Sequence, residues 1–598
     1  MAPLREQIDR LITEGTYQAA VRELGDFWRR EPGPAAAAFV NSRFEQMRDR
    51  LPLRPWRVAI LRSFTVEPLA PILRAEAFLA GIELAVHIGR FNAWAQELLD
   101  PTDGVYRFAP DAVILAVHDG EPDQVRACLD VFRRRSSAHV IVHAREAALA
   151  PRRGILDTQT EESEWAALQK ANADLRAVAR EHRGVYILDY DALVSRHGRQ
   201  RWRDAQKWLT ARMPVAAGHL LDLVREWMRF IHPLTGKVAK AVVVDLDNTL
   251  WGGVIGEDGM AGIQLSPEYP GAAYQDVQRT LFDLHERGIL LAICSKNNEA
   301  DVMEALERHP GMLLRPRHFA ALRINWEEKA QNLLEIAAEL NISSDALAFV
   351  DDNPVERRHV RLQLPEVTVV ELPQNAADYA QAIRDCPVFE RLTLTEEDMQ
   401  RGKYYADEPK RQRLKQCANS PEEFYRSLEQ EVEITPLSGI TLGRAAQLTQ
   451  KTNQFNLTTR CYSEQEMAAI SSDPSYRVYA LRVKDRFADN GLVGVAILRC
   501  SGEAWEIDTF LLSCRVVGRT VESAFLSGLS KEARQAGARR LEGWFLPSQK
   551  NAPARDFFPR HCFQLVETTD KGSRWGLDLA TAIECPPWIR LNYAGNHR

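Results

Sequence analysis

Apolar residues recur at spacings of three and four through Ile8, Leu11 and Ile12 and again through Ala19, Val21 and Leu24, so the first fifty residues are expected to be helical. After Pro52 and Pro55 the period changes. RVAILRSF (Arg57 to Phe64) reads as a compact apolar strand, and IELAVHIG, DAVILAVH, AHVIVHA and GVYILDYD read as further strands. Helical stretches such as Pro68 to Ala80 and Pro122 to Arg135 fall between them. Strand alternating with helix predicts a mostly parallel sheet covered on both faces. A second α/β unit starts at KAVVVDLDNTL (Lys240 to Leu250), continues through ILLAICSKN, LAFVDDNP and VTVVELP, and ends near Pro373. A charged helical connector follows, roughly Glu396 to Gln430. From Val432 to about Leu579 strands (VEITPL, RVYALRVKD, GLVGVAILRC, WEIDTFLLS, LEGWFL) mix with helices, the pattern of an α+β domain. The expected division is 1–50 helical, 51–235 α/β, 236–385 α/β, 386–430 connector and 431–598 α+β.

Composition narrows the function classes. The chain has 598 residues, several times the usual domain of ~100–200. Lys+Arg is 76 and Asp+Glu 82, a formal charge of −6, without the basic excess of a nucleic-acid binder. No apolar run reaches the ~18–20 residues that cross a bilayer. MAPLREQIDRLITEG carries charges where a signal peptide is apolar, so no membrane or secretory role is expected and the location is expected to be cytoplasmic. Nine cysteines without a CxxC pair disfavour a zinc site or a disulfide framework.

The sharpest chemical signal is VVVDLDNTLWGG. A buried strand, Ala241 to Val244, delivers Asp245 and Asp247 to the carboxyl end of a parallel sheet, where α/β proteins build sites. One carboxylate and one backbone carbonyl there can ligate Mg²⁺ through oxygen, leaving the other carboxylate for proton transfer. Two more strand ends repeat the arrangement: LLAICSKN presents Ser295 and Lys296, and LAFVDDNP presents Asp351 and Asp352. Acids gathered at strand tips repel one another, which raises a pKa or requires a cation. A metal, a hydroxyl and a lysine beside a carboxylate nucleophile suit phosphoryl transfer. A single DxD phrase would be read as helix caps and turns; three strand-end phrases in this order are not.

With DLDNT, ICSKN, a downstream lysine and FVDDNP, the sequence resembles the haloacid dehalogenase (HAD) superfamily of phosphatases. The resemblance implies a HAD-like Rossmannoid domain with Asp245 as phosphoryl-accepting nucleophile, Asp247 as acid/base and Ser295 holding the phosphate. Lys329, in NWEEKAQNL, would neutralise charge, with Lys296 its rival for phosphate. Asp245, the Asp247 carbonyl, Asp351 and Asp352 would hold Mg²⁺. Thr249, Asn297 and Asn353, in the same phrases, are further candidates for binding phosphate. About fifty residues separate Asp247 from Ser295 and about twenty separate Lys329 from Asp351. Neither interval holds a large cap domain, so the site is open, and a protein-borne substrate would supply the surface that excludes water.

WGGVIGEDGMAGIQL, KTNQFNLTTR and LLSCRVVGRTVE together resemble the FkbH-like branch, over well more than half of the chain. That resemblance implies loading of a glyceryl unit from 1,3-bisphosphoglycerate onto an acyl carrier protein for polyketide assembly. LLSCRVVGRTVE also resembles the loop with which GNAT acyltransferases grip a phosphopantetheine arm, placing Cys514, Arg515, Gly518 and Arg519 as carrier-binding candidates. The second glycine of that loop is Arg519 here, and Cys562 replaces the glycine of the closing phrase NAPARDFFPRHCF. These departures disfavour coenzyme A and leave a carrier-borne pantetheine. RVAILRSFT places Ser63 weakly like an SGNH hydrolase nucleophile on an SGNH/flavodoxin-like domain. Asp191 and His197 stand at the wrong interval for a triad, so Ser63 is read as a turn residue. For a covalent acyl intermediate, Cys294, beside Ser295 and near Lys296, and Cys514 are the candidates, with direct transfer the alternative; either thiol could instead be a small buried hydrophobe. Two rival readings are a stand-alone Mg²⁺ phosphatase on a small phosphate ester and a non-catalytic adaptor that docks carrier proteins.

Overall fold

The computed structural model describes residues 2–118, 120–394, 420–452, 454–548, 550–581 and 583–593, together with 411, 414 and 418. Of the connector expected at 386–430, residues 395–410, 412, 413, 415–417 and 419 lie outside the described residues. The chain divides into two units, Met1–Thr235 and Gly236–Arg598.

The first unit opens with helices Ala2–Thr13, Tyr17–Arg30 and Pro34–Met47. Its five strands are β1 (Arg54–Arg62), β2 (Ile82–Phe91), β3 (Ala112–Ala116), β4 (His139–His143) and β5 (Val185–Leu188). They pair throughout in parallel, in the order β2-β1-β3-β4-β5, which is a doubly wound order with its switch point between β1 and β3. β3 and β4 are buried at every position, as strands covered on both faces must be. Helix Leu220–Leu234 packs through Leu223, Val224, Trp227 and Ile231, and Trp227 Nε1 donates to His143 Nε2 at 2.8 Å.

The second unit holds two sheets. The first contains β6 (Ala241–Val244), β7 (Leu290–Ser295), β8 (Phe319–Ile324), β9 (Leu347–Val350) and β10 (Thr368–Val369). The order is β10-β9-β6-β7-β8, all parallel. Alternation along the strands splits the core: Val242, Val244, Leu291 and Ile293 enter one apolar cluster, and Ala241, Val243, Leu290, Ala292 and Cys294 enter the cluster on the other face. Between β6 and β7 run helices Ile255–Gly262 and Gly271–Glu286, and between β8 and β9 runs helix Lys329–Glu339. No segment of domain size is inserted at either place, so neither interval caps the carboxyl edge of the sheet.

The other sheet is mixed. It contains β11 (Gln430–Pro436), β12 (Phe455–Asn456), β13 (Tyr476–Lys484), β14 (Asp489–Ser501), β15 (Ala504–Leu512), β16 (Arg540–Phe545), β17 (Gln564–Thr569), β18 (Gly572–Asp578) and β19 (Ile589–Tyr593). The order is β17-β18-β16-β15-β14-β13-β11-β19, with β12 paired to β15. β15 and β16 are parallel and are joined through helix Val521–Gln535. Polar ties link the two sheets' domains: Lys550 pairs with Asp345, Asn341 Nδ2 donates to the Cys514 carbonyl, and Lys240 Nζ donates to the Lys451 carbonyl at 3.3 Å. Among the described residues no helix is long and apolar enough to cross a membrane.

Candidate active site

β6 is the middle strand of its sheet, with β9 on one side and β7 on the other, so their carboxyl ends bring three loops together. Asp245 follows β6 with its N–H donating to Val350 O at 2.9 Å. Asp351 and Asp352 follow β9. Asp245, Asp351 and Asp352 each offer a carboxylate oxygen within 4.8 Å of the others. Lys329 Nζ stands between two of them, 2.9 Å from Asp245 Oδ1 and 2.6 Å from Asp351 Oδ2. Lys329 is the first residue of its helix, where the helix dipole disfavours a cation. The two carboxylates, not the helix, stabilise the ammonium there.

Burial pushes the Asp245 carboxyl up to about 7, and the charge of Asp351 adds to this while Lys329 and the Ser295 hydroxyl oppose it. Burial and Asp351 also raise Asp352. Burial alone would lower Lys329, but Asp245 and Asp351 outweigh it and hold the ammonium above its ordinary value. The donors on offer are all carboxylate oxygens, the ligands that Mg²⁺ takes, so the residues present fit that cation.

Asp247 is held apart from this cluster. Its Oδ1 accepts from Trp251 Nε1 at 2.9 Å and from Ile255 N at 3.0 Å, and its Oδ2 accepts from Asn297 Nδ2 at 3.0 Å. Asn297 also donates to Ser295 Oγ at 3.1 Å, tying the loop after β7 to the loop after β6. Thr249 Oγ1 accepts from Asp352 N at 3.1 Å and lies 3.3 Å from Asp352 Oδ1, so it fixes an acid where the sequence reading gave it phosphate. Asn353 caps helix Pro354–Gln363 by accepting from Val355 N at 2.9 Å. Trp251 and Arg357 had no role in the sequence reading. Arg357 Nη1 donates to the carbonyls of both Asp351 and Asp352 at 2.7 Å. Its cue, a cation five residues beyond a strand-end acid pair, is common in helices and carries little signal by itself.

Four other expectations need correction. Lys296 Nζ pairs with Glu356 at 2.9 Å and Glu328 at 3.8 Å, so it faces acids at the rim while Lys329 occupies the centre. Cys294 is fully buried in the apolar cluster that also holds Ala241, Val243 and Phe349, 3.9 Å from the Lys329 carbonyl. Burial pushes its thiol up to about 12, which removes the thiolate a nucleophile needs. Cys514 opens the turn at 514–520 and packs, half-buried, against that same cluster. Arg515 donates to the Asn490 carbonyl at 3.3 Å, and Arg519 pairs with Asp485 at 3.1 Å, so both guanidiniums are engaged within the protein. The left-handed residues of this loop are Gly518 (φ 79°) and Thr520 (φ 61°), with Cys562 (φ 62°) in the closing phrase.

In the first unit, Ser63 Oγ accepts from His118 N at 2.9 Å, Asp191 accepts from Ala147 N at 2.7 Å, and His197 pairs with Asp222 at 3.5 Å. Ser63, Asp191 and His197 form no triad.

No protein-family model matches the chain, and no curated protein matches it. Among solved structures it is similar to the N-terminal part of the protein BF1531 from Bacteroides fragilis, which contains a phosphatase domain and was crystallised in complex with Mg. The identity is 29%, over 57% of this chain and 96% of that one, with a TM-score of 0.52. Slighter likenesses reach the ribosomal-protein-S18-alanine N-acetyltransferase of Escherichia coli (15% identity, 28% of this chain, 98% of that one, TM-score 0.20). They also reach the PaiA N-acetyltransferase of Thermoplasma acidophilum in complex with coenzyme A (15%, 25% and 98%, TM-score 0.18). Neither of these two is strong enough to bear on function.

Proposed function

We propose that this chain is a divalent-metal-dependent phosphatase and glyceryl transferase. In this reading it removes the 3-phosphate of a glyceryl group drawn from 1,3-bisphosphoglycerate and passes that group to the phosphopantetheine thiol of an acyl carrier protein. The observation that carries the phosphatase half is Lys329 Nζ set between Asp245 and Asp351 beside Asp352. The Mg complex of the similar BF1531 phosphatase domain supports the same reading.

Asp245, Asp351 and Asp352 would hold Mg²⁺, which supplies charge neutralisation for the phosphoryl oxygens. Asp245 attacks phosphorus, the ester P–O bond breaks, and Asp247 protonates the departing alkoxide. Water then cleaves the aspartyl phosphate, with Asp247 taking its proton. Ser295 and Lys329 bind the phosphoryl oxygens throughout, and Trp251, Ile255 N–H and Asn297 keep Asp247 aimed.

The transferase half rests on the FkbH-like phrases and on a sheet edge that neither interval caps. Trp326 and Val355, in the segments leaving β8 and β9, are 70% and 72% exposed, and apolar groups at a rim favour a protein-borne substrate. The test is mass spectrometry of an acyl carrier protein after incubation with enzyme, Mg²⁺ and 1,3-bisphosphoglycerate. A dephosphorylated glyceryl adduct supports the proposal. Phosphate release without carrier acylation would leave a stand-alone phosphatase, and neither activity would leave a docking adaptor.

A further inference from the structure

We infer that Ser523 and His561 form a second nucleophilic site, in the C-terminal domain, that accepts acyl groups from an activated acyl donor. Ser523 Oγ lies 2.8 Å from His561 Nε2. His561 Nδ1 lies 2.7 Å from the Phe557 carbonyl. A carbonyl oxygen can only accept, so Nδ1 carries the ring proton. In the neutral imidazole Nε2 is then the acceptor, and the Ser523 hydroxyl donates to it. This gives a nucleophile, its base, and a third group that fixes the base's tautomer; here a main-chain carbonyl stands where a carboxylate often does.

The surroundings fit that chemistry. Both residues are half-buried, so a substrate can reach them. Ser523 is the third residue of helix Val521–Gln535, whose first-turn N–H groups have no partner within the helix and can receive a developing oxyanion. Burial lowers the His561 pKa, with Arg560 adding to the effect against the Phe557 carbonyl, which favours the neutral ring whose Nε2 lone pair can take the hydroxyl proton.

In the step, Ser523 Oγ attacks the acyl carbon, and the carbon–oxygen bond of an acyl phosphate or the carbon–sulfur bond of a thioester breaks. Phosphate or thiolate leaves, and His561 Nε2 takes the hydroxyl proton and returns it to the leaving group. The product is an ester on Ser523.

A fluorophosphonate probe on the full-length protein reads this site directly: the Oγ–P bond forms, fluoride leaves and His561 takes the proton. Peptide mass spectrometry is expected to place one adduct on Ser523, lost in Ser523→Ala and formed at least about a hundredfold more slowly in His561→Ala. Circular dichroism of each variant separates loss of the nucleophile from loss of fold. Absence of an adduct on Ser523 in the wild type, or labelling of His561→Ala at the wild-type rate, overturns the dyad. Incubation with acetyl phosphate and, separately, with an acetyl-pantetheine thioester identifies the donor by an acetyl ester on Ser523. Formation with neither overturns the acyl-acceptor role. The probe involves no phosphate ester, so a failure here is distinct from a failure at Asp245.

Discussion

Replacing Lys329 with methionine keeps most of the side chain's length and removes its charge. Lys329 is 4% exposed and its ammonium sits within 3 Å of two carboxylates, so the change leaves Asp245 and Asp351 facing each other in a buried site. Removing one partner of a buried ion pair costs about 3–5 kcal/mol, and the upper end applies because two acids lose their counter-charge together. In EDTA the variant is expected to unfold at clearly lower temperature than the wild type. Added Mg²⁺ should recover part of the loss, since a cation bound to the folded state alone stabilises it. Phosphate-ester hydrolysis should fall by about 10²–10³-fold, the usual cost of one preorganised electrostatic group. Calorimetry in EDTA and in Mg²⁺, together with release of phosphate from a generic phosphate monoester, measures both effects. Wild-type stability in EDTA, or full activity in Lys329→Met with loss in Lys296→Met, would refute the placement of Lys329 as the central cation.

Three more outcomes follow from the geometry. Asp351→Asn should weaken Mg²⁺ binding by more than the roughly 10–100-fold of an outer-sphere change, whereas Asp247→Asn should leave affinity near wild type and still abolish turnover; isothermal titration separates the two. In metal-free protein the folded Asp245 keeps a proton that the unfolded chain releases, because its pKa is raised from 3.8 to about 7. Stability therefore falls as pH rises through that window, and thermal scans of wild type against Asp245→Asn in EDTA should show this slope in the wild type and not in the variant. Iodoacetamide should modify the exposed Cys461 and Cys562 and spare Cys294, whose thiol is buried and pushed up to about 12; early alkylation of Cys294 would contradict its burial.

The strands that sequence periodicity marks best are those buried on both faces, such as β3, β6, β7 and β9, because continuous apolar runs bounded by turns have few competing interpretations. Others escaped it. β8, an edge strand, mixes buried and half-buried positions without a strict alternation, and every residue of β17 is exposed, so neither shows the period-two pattern that marks a strand. β12 is a two-residue pairing made by tertiary contact with β15, which no local pattern encodes. Thr520 and Cys562 adopt left-handed backbone where glycine is favoured.

The aspartate site was legible for a different reason. Each acid follows a parallel strand, and parallel strands bring their carboxyl ends together whatever lies between them. What the sequence left open was the direction of each side chain. Cys294 and Ser295 are neighbours, and strand alternation sends one to each face. β7 extends through Ser295, so alternation still holds at Cys294 and keeps its thiol in the apolar core. The same reasoning separates the lysines. Lys296 follows the strand and leaves with the loop toward Glu356, whereas Lys329 begins a helix after the neighbouring strand β8 and points back across the sheet edge to Asp245 and Asp351. In sequence Lys296 is the nearer, directly after Ser295, while Lys329 stands 22 residues before Asp351, but burial decides between them. A cation removed from water is retained where two carboxylates compensate it, and among the described residues Lys329 meets that condition while the half-exposed Lys296 does not need to.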